Sequence, residues 1–271
     1  MEQRVDIHAA VRERYGAIAE GKGGCGCGSN VKGTNEPGEA ACCAANETAG
    51  SECCGTSCCT DLAEHGYSAE DAAAIPEGAN LGLGCGTPIA LAQPKRGETV
   101  LDLGSGAGID AFLAARDVGP EGTVIGVDMT PAMIDRARAN ASKGGYTNVE
   151  FRLGEIEHLP LPDASVDVIV SNCVVNLSPE KDRVFREAFR VLRPGGRMLV
   201  SDLVLEQPLP KETRESIEAY VGCIAGASLK DDYLQLIRAA GFQEVEIARE
   251  GRYGTEPVTS VQVRAVKPIR G

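Results

Sequence analysis

Tryptophan is absent from the 271-residue chain, and Phe and Tyr bring the aromatic share to only 4%. That shortage excludes most readers of single-stranded nucleic acid, which stack bases on aromatic platforms. Positive charge is also scarce: the formal net charge is −12, so a polyanion is repelled overall and no nucleic-acid partner is expected. No run of about 18 apolar residues occurs, which argues against a membrane span and a membrane partner. The opening stretch MEQRVDIHAAVRERYG is charged and periodic and lacks the apolar core of a signal peptide. These absences predict a cytoplasmic small-molecule enzyme, in a compartment where thiols stay reduced.

Cysteine, by contrast, is abundant, with 11 residues. In a secreted chain that number would suggest a disulfide framework, although an odd count fits one poorly. In the cytosol it points to soft-ion binding or redox chemistry. Cys25, Cys27, Cys42, Cys43, Cys53, Cys54, Cys58 and Cys59 fall in a stretch dominated by Gly, Ala, Ser, Thr and Asn. With so few large apolar groups it cannot bury a core, so residues 21–66 read as a flexible linker. Three readings of its cysteines stand open: an arm that captures a soft ion, a variable insertion with scavenging thiols, or a zinc site. The Cys-Cys doublets depart from the usual zinc spacing.

Residues 1–20 precede the linker as a helix, in which Ile7, Val11, Tyr15 and Ile18 recur at helical spacing. Ordered structure resumes at residue 67, where Ser68 and Asp71 form a variant capping box. Strands are predicted over 99–103, 123–127, 149–153, 166–171 and 197–202, and helices over 108–117, 131–143 and 182–191. Such alternation implies a doubly wound, mostly parallel α/β sheet. Helices over 211–225 and 231–240 follow, within a helical insertion near 204–241. Strands over 245–250 and 258–265 then form a terminal antiparallel hairpin.

Between the first strand and its helix lies Asp102-Leu103-Gly104-Ser105-Gly106-Ala107-Gly108. Glycines there let the backbone turn tightly and approach a ligand. Asp128, at the end of the second strand, is placed to accept hydrogen bonds from ribose hydroxyls. Ile109 stands where a dinucleotide fingerprint carries its third glycine, so the pattern departs from that motif. It resembles instead the first motif of class I methyltransferases, with Asp128 matching their ribose-binding acid. GEIEHLPLPD (154–163) and FREAFRVLRPGG (185–196) resemble the ubiquinone-biosynthesis branch, with Glu155 where that branch usually has Asp. The resemblance covers residues 75–271. It implies a Rossmann-like, seven-stranded fold and S-adenosylmethionine as cofactor, bound through Asp102, Gly104, Ser105, Gly106, Gly108, Asp128, Met129, Glu155, Ile156 and Asn172.

Three cysteines lie outside the linker. Cys85 sits in a glycine-flanked loop, Cys173 follows the fourth strand at the carboxyl edge where α/β sheets bind ligands, and Cys223 lies in the helical insertion. Each alone could be a small buried hydrophobe. Together, NLGLGCGTP (80–88), SNCVVNLS (171–178) and YVGCIAGA (220–227) resemble the three metalloid-binding segments of arsenite methyltransferases, and VRERYG resembles that family's opening. The resemblance implies that Cys85, Cys173 and Cys223 are the catalytic residues and bind trivalent arsenic, since thiolate sulfur prefers soft ions. Delivery as a thiol conjugate, thioredoxin or glutathione as reductant, and a detoxifying role follow from the same resemblance. Thiolates must form before binding, so affinity is expected to rise with pH until the thiols ionise. No general base is needed for the transfer, and His65 and His158 are assigned no catalytic part. Two rivals stand beside this reading: a carbon or oxygen methyltransferase with buried cysteines, and a non-catalytic metalloid-sequestering protein.

Overall fold

The computed structural model describes residues 6–22, 62, 67–253 and 257–269. A seven-stranded sheet organises them, with strand order β3-β2-β1-β4-β5-β7-β6. The strands are β1 (Thr99–Leu103), β2 (Thr123–Asp128), β3 (Val149–Leu153), β4 (Val166–Asn172), β5 (Leu192–Leu205), β6 (Gln243–Arg252) and β7 (Val258–Val266). The first five are mutually parallel, and β7 runs antiparallel to both β5 and β6. The antiparallel strand is therefore last but one, inserted between β5 and the edge strand β6. Central strands read as continuous apolar runs because helices cover both of their faces.

Those helices are α4 (Ile109–Val118), α5 (Pro131–Gly144), α6 (Lys181–Val191) and α9 (Lys230–Ala239), with α1 (Ile7–Ala19), α2 (Ala69–Ala74) and α3 (Pro88–Ala92) at the amino-terminal side. Local chemistry sets their ends. Pro131 stands in the first turn of α5, where its missing N–H costs nothing. Ser68 and Asp71 close the expected capping box on α2. In α6, Val184, Phe185, Ala188 and Val191 share one buried stripe, while Asp182 and Arg186 face water. Phe185, fully buried, stacks edge-on against Tyr233 of α9, with ring centroids 5.5 Å apart. This pair anchors the core on one face of the sheet; Phe112, Ile134 and Val118 anchor the other.

The insertion differs from expectation. Instead of one helix over 211–225 there are two short ones, α7 (Lys211–Arg214) and α8 (Ile217–Val221). Ser216 causes the break: its side chain accepts from the Ala219 N–H and caps α8, a hydrogen bond that competes with helix continuation. Gly222 then ends α8, and Cys223 follows at φ 66°. A third, small apolar cluster sits over the carboxyl ends of the strands, built from Val11, Cys173, Leu177, Leu203 and Cys223, with Cys85 packed against it.

Candidate functional site

The carboxyl ends of β1, β2 and β4 open into two adjoining hollows of about 680 and 540 Å³, which share Leu83, Gly104, Gly106 and Asn172 as walls. Gly104 turns at φ 67°, and a Cβ there would lie 2.2 Å from a Val174 methyl. Gly106 turns at φ 51° and has open space where its Cβ would be. A bare backbone thus forms the ridge between the hollows. Asp128 lines the larger one. Its two oxygens accept from the N–H groups of Gly106 (3.0 Å) and Thr130 (2.8 Å), which partly offset the upward push that burial gives its pKa. Met129, Ile156 and Asn172 line the same hollow. Ser105 and Asp102 line the smaller one. Gly108 lies behind it, as the N-cap of α4.

Asp102 carries the electrostatic signature of the smaller hollow. It is 2% exposed, and its Oδ2 atom has no hydrogen-bond partner. Burial, then the nearby charges of Asp110 and Asp128, hold its pKa well above the usual range. Asp110, buried beside it, is pushed up to about 6 by burial, although Asn172 and Tyr67 donate to it. Two buried carboxylates on the smaller hollow, with Asp128 beside them on the larger, favour a cationic occupant, which would relieve their mutual repulsion. A sulfonium-bearing amino acid with a nucleoside attached fits this pair of hollows: cationic groups near Asp102, ribose hydroxyls at Asp128.

Cys85, Cys173 and Cys223 pack into one small cluster, and Cys173 lines the larger hollow. Cys85 and Cys173 are joined by a disulfide across a Cα–Cα distance of 5.9 Å. Cys223 stays a free thiol and donates through Sγ to the Cys173 carbonyl oxygen at 3.2 Å. Both Cys173 (φ 57°) and Cys223 (φ 66°) hold left-handed backbone, which costs a non-glycine residue about 1–3 kcal/mol. Such strain persists where the surroundings dictate it, and here it falls on two cysteines of one small cluster. Burial pushes the Cys223 thiol up to about 12, with the Asp202 charge adding to it and Tyr15 and Lys181 opposing.

Helix α1 covers this cluster, and sequence reasoning gave it no part in the site. Val11 is 2% exposed within the sulfur cluster. Tyr15 donates to the Val221 carbonyl at 3.2 Å and also meets the Cys223 sulfur. At the other edge of α1, His8 contacts Glu157 at 3.0 Å and Arg12 donates to Glu155 at 3.3 Å. Glu155 is accordingly turned toward α1 and is absent from the lining of either hollow, while the buried Glu157 lines the larger one. The helical spacing of Ile7, Val11 and Tyr15 was a visible signal for a buried face, but not for what that face covers. Tyr67, Asp110 and Glu157 gave no signal of their own. His158 is exposed and touches Arg183. His65 and the eight linker cysteines lie outside the described residues.

A family model described as a methyltransferase domain matches residues 94–241, more than half of the chain. An arsenite methyltransferase from Halobacterium salinarum is 53% identical over 239 residues, 88% of this chain and 58% of that protein. The crystal structure of an arsenic(III) S-adenosylmethionine methyltransferase from Chlamydomonas reinhardtii superposes with a TM-score of 0.63 at 35% identity, covering 78% of this chain and 74% of that one. The chain belongs to the arsenite methyltransferase family. Another member of that family, from Aquipseudomonas alcaligenes, is 45% identical over 56% of this chain and 46% of its own length. The chain thus spans about half the length of the curated arsenite methyltransferases it matches. Within that family the fold and its donor, S-adenosylmethionine, are those that the resemblance to class I methyltransferases implies.

Proposed function

We propose that this protein transfers the methyl group of S-adenosylmethionine to trivalent arsenic held by Cys85, Cys173 and Cys223. One observation supports this above others: three cysteines far apart in the chain, Cys85, Cys173 and Cys223, pack into one cluster, and Cys173 lines the larger hollow. Bound there, S-adenosylmethionine supplies an electrophilic methyl group on a positive sulfur. The chain's own part is positioning, which is most of what such a transfer requires. The Asp102–Gly108 turn and Asp128 hold the donor. The sulfurs hold the metalloid, and Val11, Leu177 and Leu203 exclude water from it.

The disulfide sets a condition. Two electrons and two protons must enter the Cys85–Cys173 bridge before both sulfurs can act as ligands. Thioredoxin or glutathione supplies them in this reading, and arsenic arrives as a thiol conjugate. A cytoplasmic setting and a detoxifying role agree with that requirement; among the described residues no helix is long and apolar enough to cross a membrane. Donor turn and sulfurs all belong to residues 67–271, taken as the methyltransferase domain. Deleting residues 21–60 is therefore expected to leave activity in place.

The deciding experiment is mass-resolved product analysis after incubating the protein with arsenite, S-adenosylmethionine and a reducing thiol. Methylated arsenicals are expected. Their absence, with methylation of a quinone-type carbon or oxygen acceptor instead, would overturn the proposal.

A further inference from the structure

Asn172 is the last residue of β4, directly before Cys173. Its side-chain amide does not simply face the donor hollow. Oδ1 accepts from the Cys85 N–H at 3.0 Å, and Nδ2 donates to the Gly86 carbonyl at 2.7 Å. One planar amide thereby grips the backbone on both sides of the Cys85 side chain. The grip is close: a Cβ on Gly84 would lie 2.9 Å from Nδ2, so only glycine admits the amide there. Ser260 adds a third hold on the same loop by donating to the Cys85 carbonyl at 3.1 Å. A loop bonded at its own cysteine to the residue preceding the other cysteine has its sulfur placed by that residue.

The same Nδ2 also reaches Tyr67 Oη and Asp110 Oδ2, each at 3.1 Å. Tyr67 in turn donates to Asp110 Oδ1 at 2.9 Å. All three residues wall the smaller hollow together with Asp102. An amide nitrogen has two hydrogens, yet three acceptors surround this one. The Nδ2 hydrogens are therefore shared between the Cys85 loop and the hollow wall, and whatever fixes the wall fixes the share.

We propose that Asn172 is a positioning residue that holds Cys85 opposite Cys173 and ties the geometry of that sulfur pair to occupancy of the donor hollow. The coupling half rests on the family's donor occupying the hollow; the holding half does not, and neither depends on arsenic being the acceptor. Filling the hollow immobilises Tyr67 and Asp110, leaves Asn172 fewer arrangements, and raises the effective concentration of the Cys85 sulfur at Cys173. Linkage makes the effect reciprocal, so closing the sulfur pair tightens donor binding by the same factor.

The measurement is the fraction of Cys85–Cys173 bridge in glutathione buffers of graded ratio, read by peptide mass mapping of the full chain. Closing the bridge forms one S–S bond and passes two electrons and two protons to oxidised glutathione, which leaves as two reduced molecules. Asn172→Ala is expected to lower the effective concentration about tenfold, the loss of roughly one to two hydrogen bonds. S-adenosylhomocysteine, the probe for the hollow, is expected to raise it about threefold or more in the parent protein and to leave it unchanged in the variant. Wild-type bridge formation in Asn172→Ala would overturn the holding role, and an equal response to S-adenosylhomocysteine in both proteins would overturn the coupling. If Asn172→Ala fails to fold, Tyr67→Phe tests the coupling alone. It leaves the grip on Cys85 and Gly86 intact, so its bridge is expected to form normally but to ignore the probe; a full response would overturn the proposal. None of these readings involves arsenite, so a failure here and a failure of arsenic methylation are separate results.

Discussion

Gly104 and Gly106 share a left-handed backbone and differ in what surrounds them, which separates structure from function within three residues. Alanine at either position meets the left-handed cost of about 1–2 kcal/mol. At Gly104 the new methyl also collides with Val174, so Gly104→Ala is expected to lower thermal stability more than Gly106→Ala. At Gly106 the methyl projects into open space on the ridge between the hollows. Gly106→Ala is therefore expected to spare most of the fold and to weaken S-adenosylhomocysteine binding by about tenfold or more, since a methyl displaces ligand contacts. Paired unfolding and calorimetric titrations check both; equal stability losses with unchanged binding would contradict the argument. The cysteines make a sharper residue-scale test. If Cys223 holds the metalloid as proposed, Cys223→Ser keeps the volume and removes a soft ligand, so arsenite methylation is expected to fall about a hundredfold or more, because a displaced acceptor atom forfeits alignment. Cys85→Ser and Cys173→Ser should match it, and each should also abolish the bridge.

Among the elements, α1 has the least support from the rest of the fold relative to what it covers. Its buried side rests on Val11 and Ala19, and its polar ties run through Tyr15, Arg12, His8 and the Arg136 guanidinium, which donates to the Ala19 carbonyl at 2.9 Å. Val11→Asp would bury an unpaired charge among Cys173, Leu177, Leu203 and Cys223, which the helix avoids by leaving its seat. The sheet and its two main cores do not include α1, so the protein should stay folded while Cys223 becomes accessible. Alkylation of Cys223 by iodoacetamide, followed by peptide mass, is expected to accelerate about tenfold or more, as for a site released by local opening. An unchanged rate would show that α1 does not guard the sulfur. Elements were also where the sequence spoke most clearly. The five parallel strands and their helices fall within a few residues of the places their apolar periodicity predicts, because each is either buried on both faces or striped on one. The region over 211–225 misled, since its pattern suits one helix and a single serine hydroxyl divides it. Glu155 shows a related limit: its motif position is plain, but its partners Arg12 and His8 lie more than 140 residues away, and no local pattern encodes such a contact.

Over the whole molecule the same limit decides what could be foreseen. Glycine spacing and the acid at the end of β2 mark the turn that walls the hollows, since their backbone demands are local. Convergence of Cys85, Cys173 and Cys223 depends on the crossovers that place β4, β5 and the insertion at one sheet edge, and it was reached through likeness of segments, not through spacing. Asp202 belongs to this longer-range class. It is fully buried beneath the sulfur cluster and accepts from the N–H groups of Leu203 and Asn176 and from Tyr233 Oη. Burial still outweighs those bonds and the Lys181 charge and lifts its pKa to about 7. An acid raised in the folded state keeps a proton that the unfolded chain releases, so its contribution to stability is greatest below the unfolded value of 3.8 and is lost as pH rises toward 7. Glu98 and Glu187 act oppositely: hydrogen bonds from Arg197 and Arg190 hold them low, so their contributions fade as pH falls through the carboxylate range. The parent's pH profile is a sum of both kinds, and only a difference isolates Asp202. Asp202→Asn removes the titration, so the melting temperature of the parent should decline relative to that of the variant from about pH 4 to 7 and run parallel to it above, where both charge states are settled. A difference that stays flat over that interval would mean that the buried acid is already ionised throughout, held so by Lys181 and its three donors.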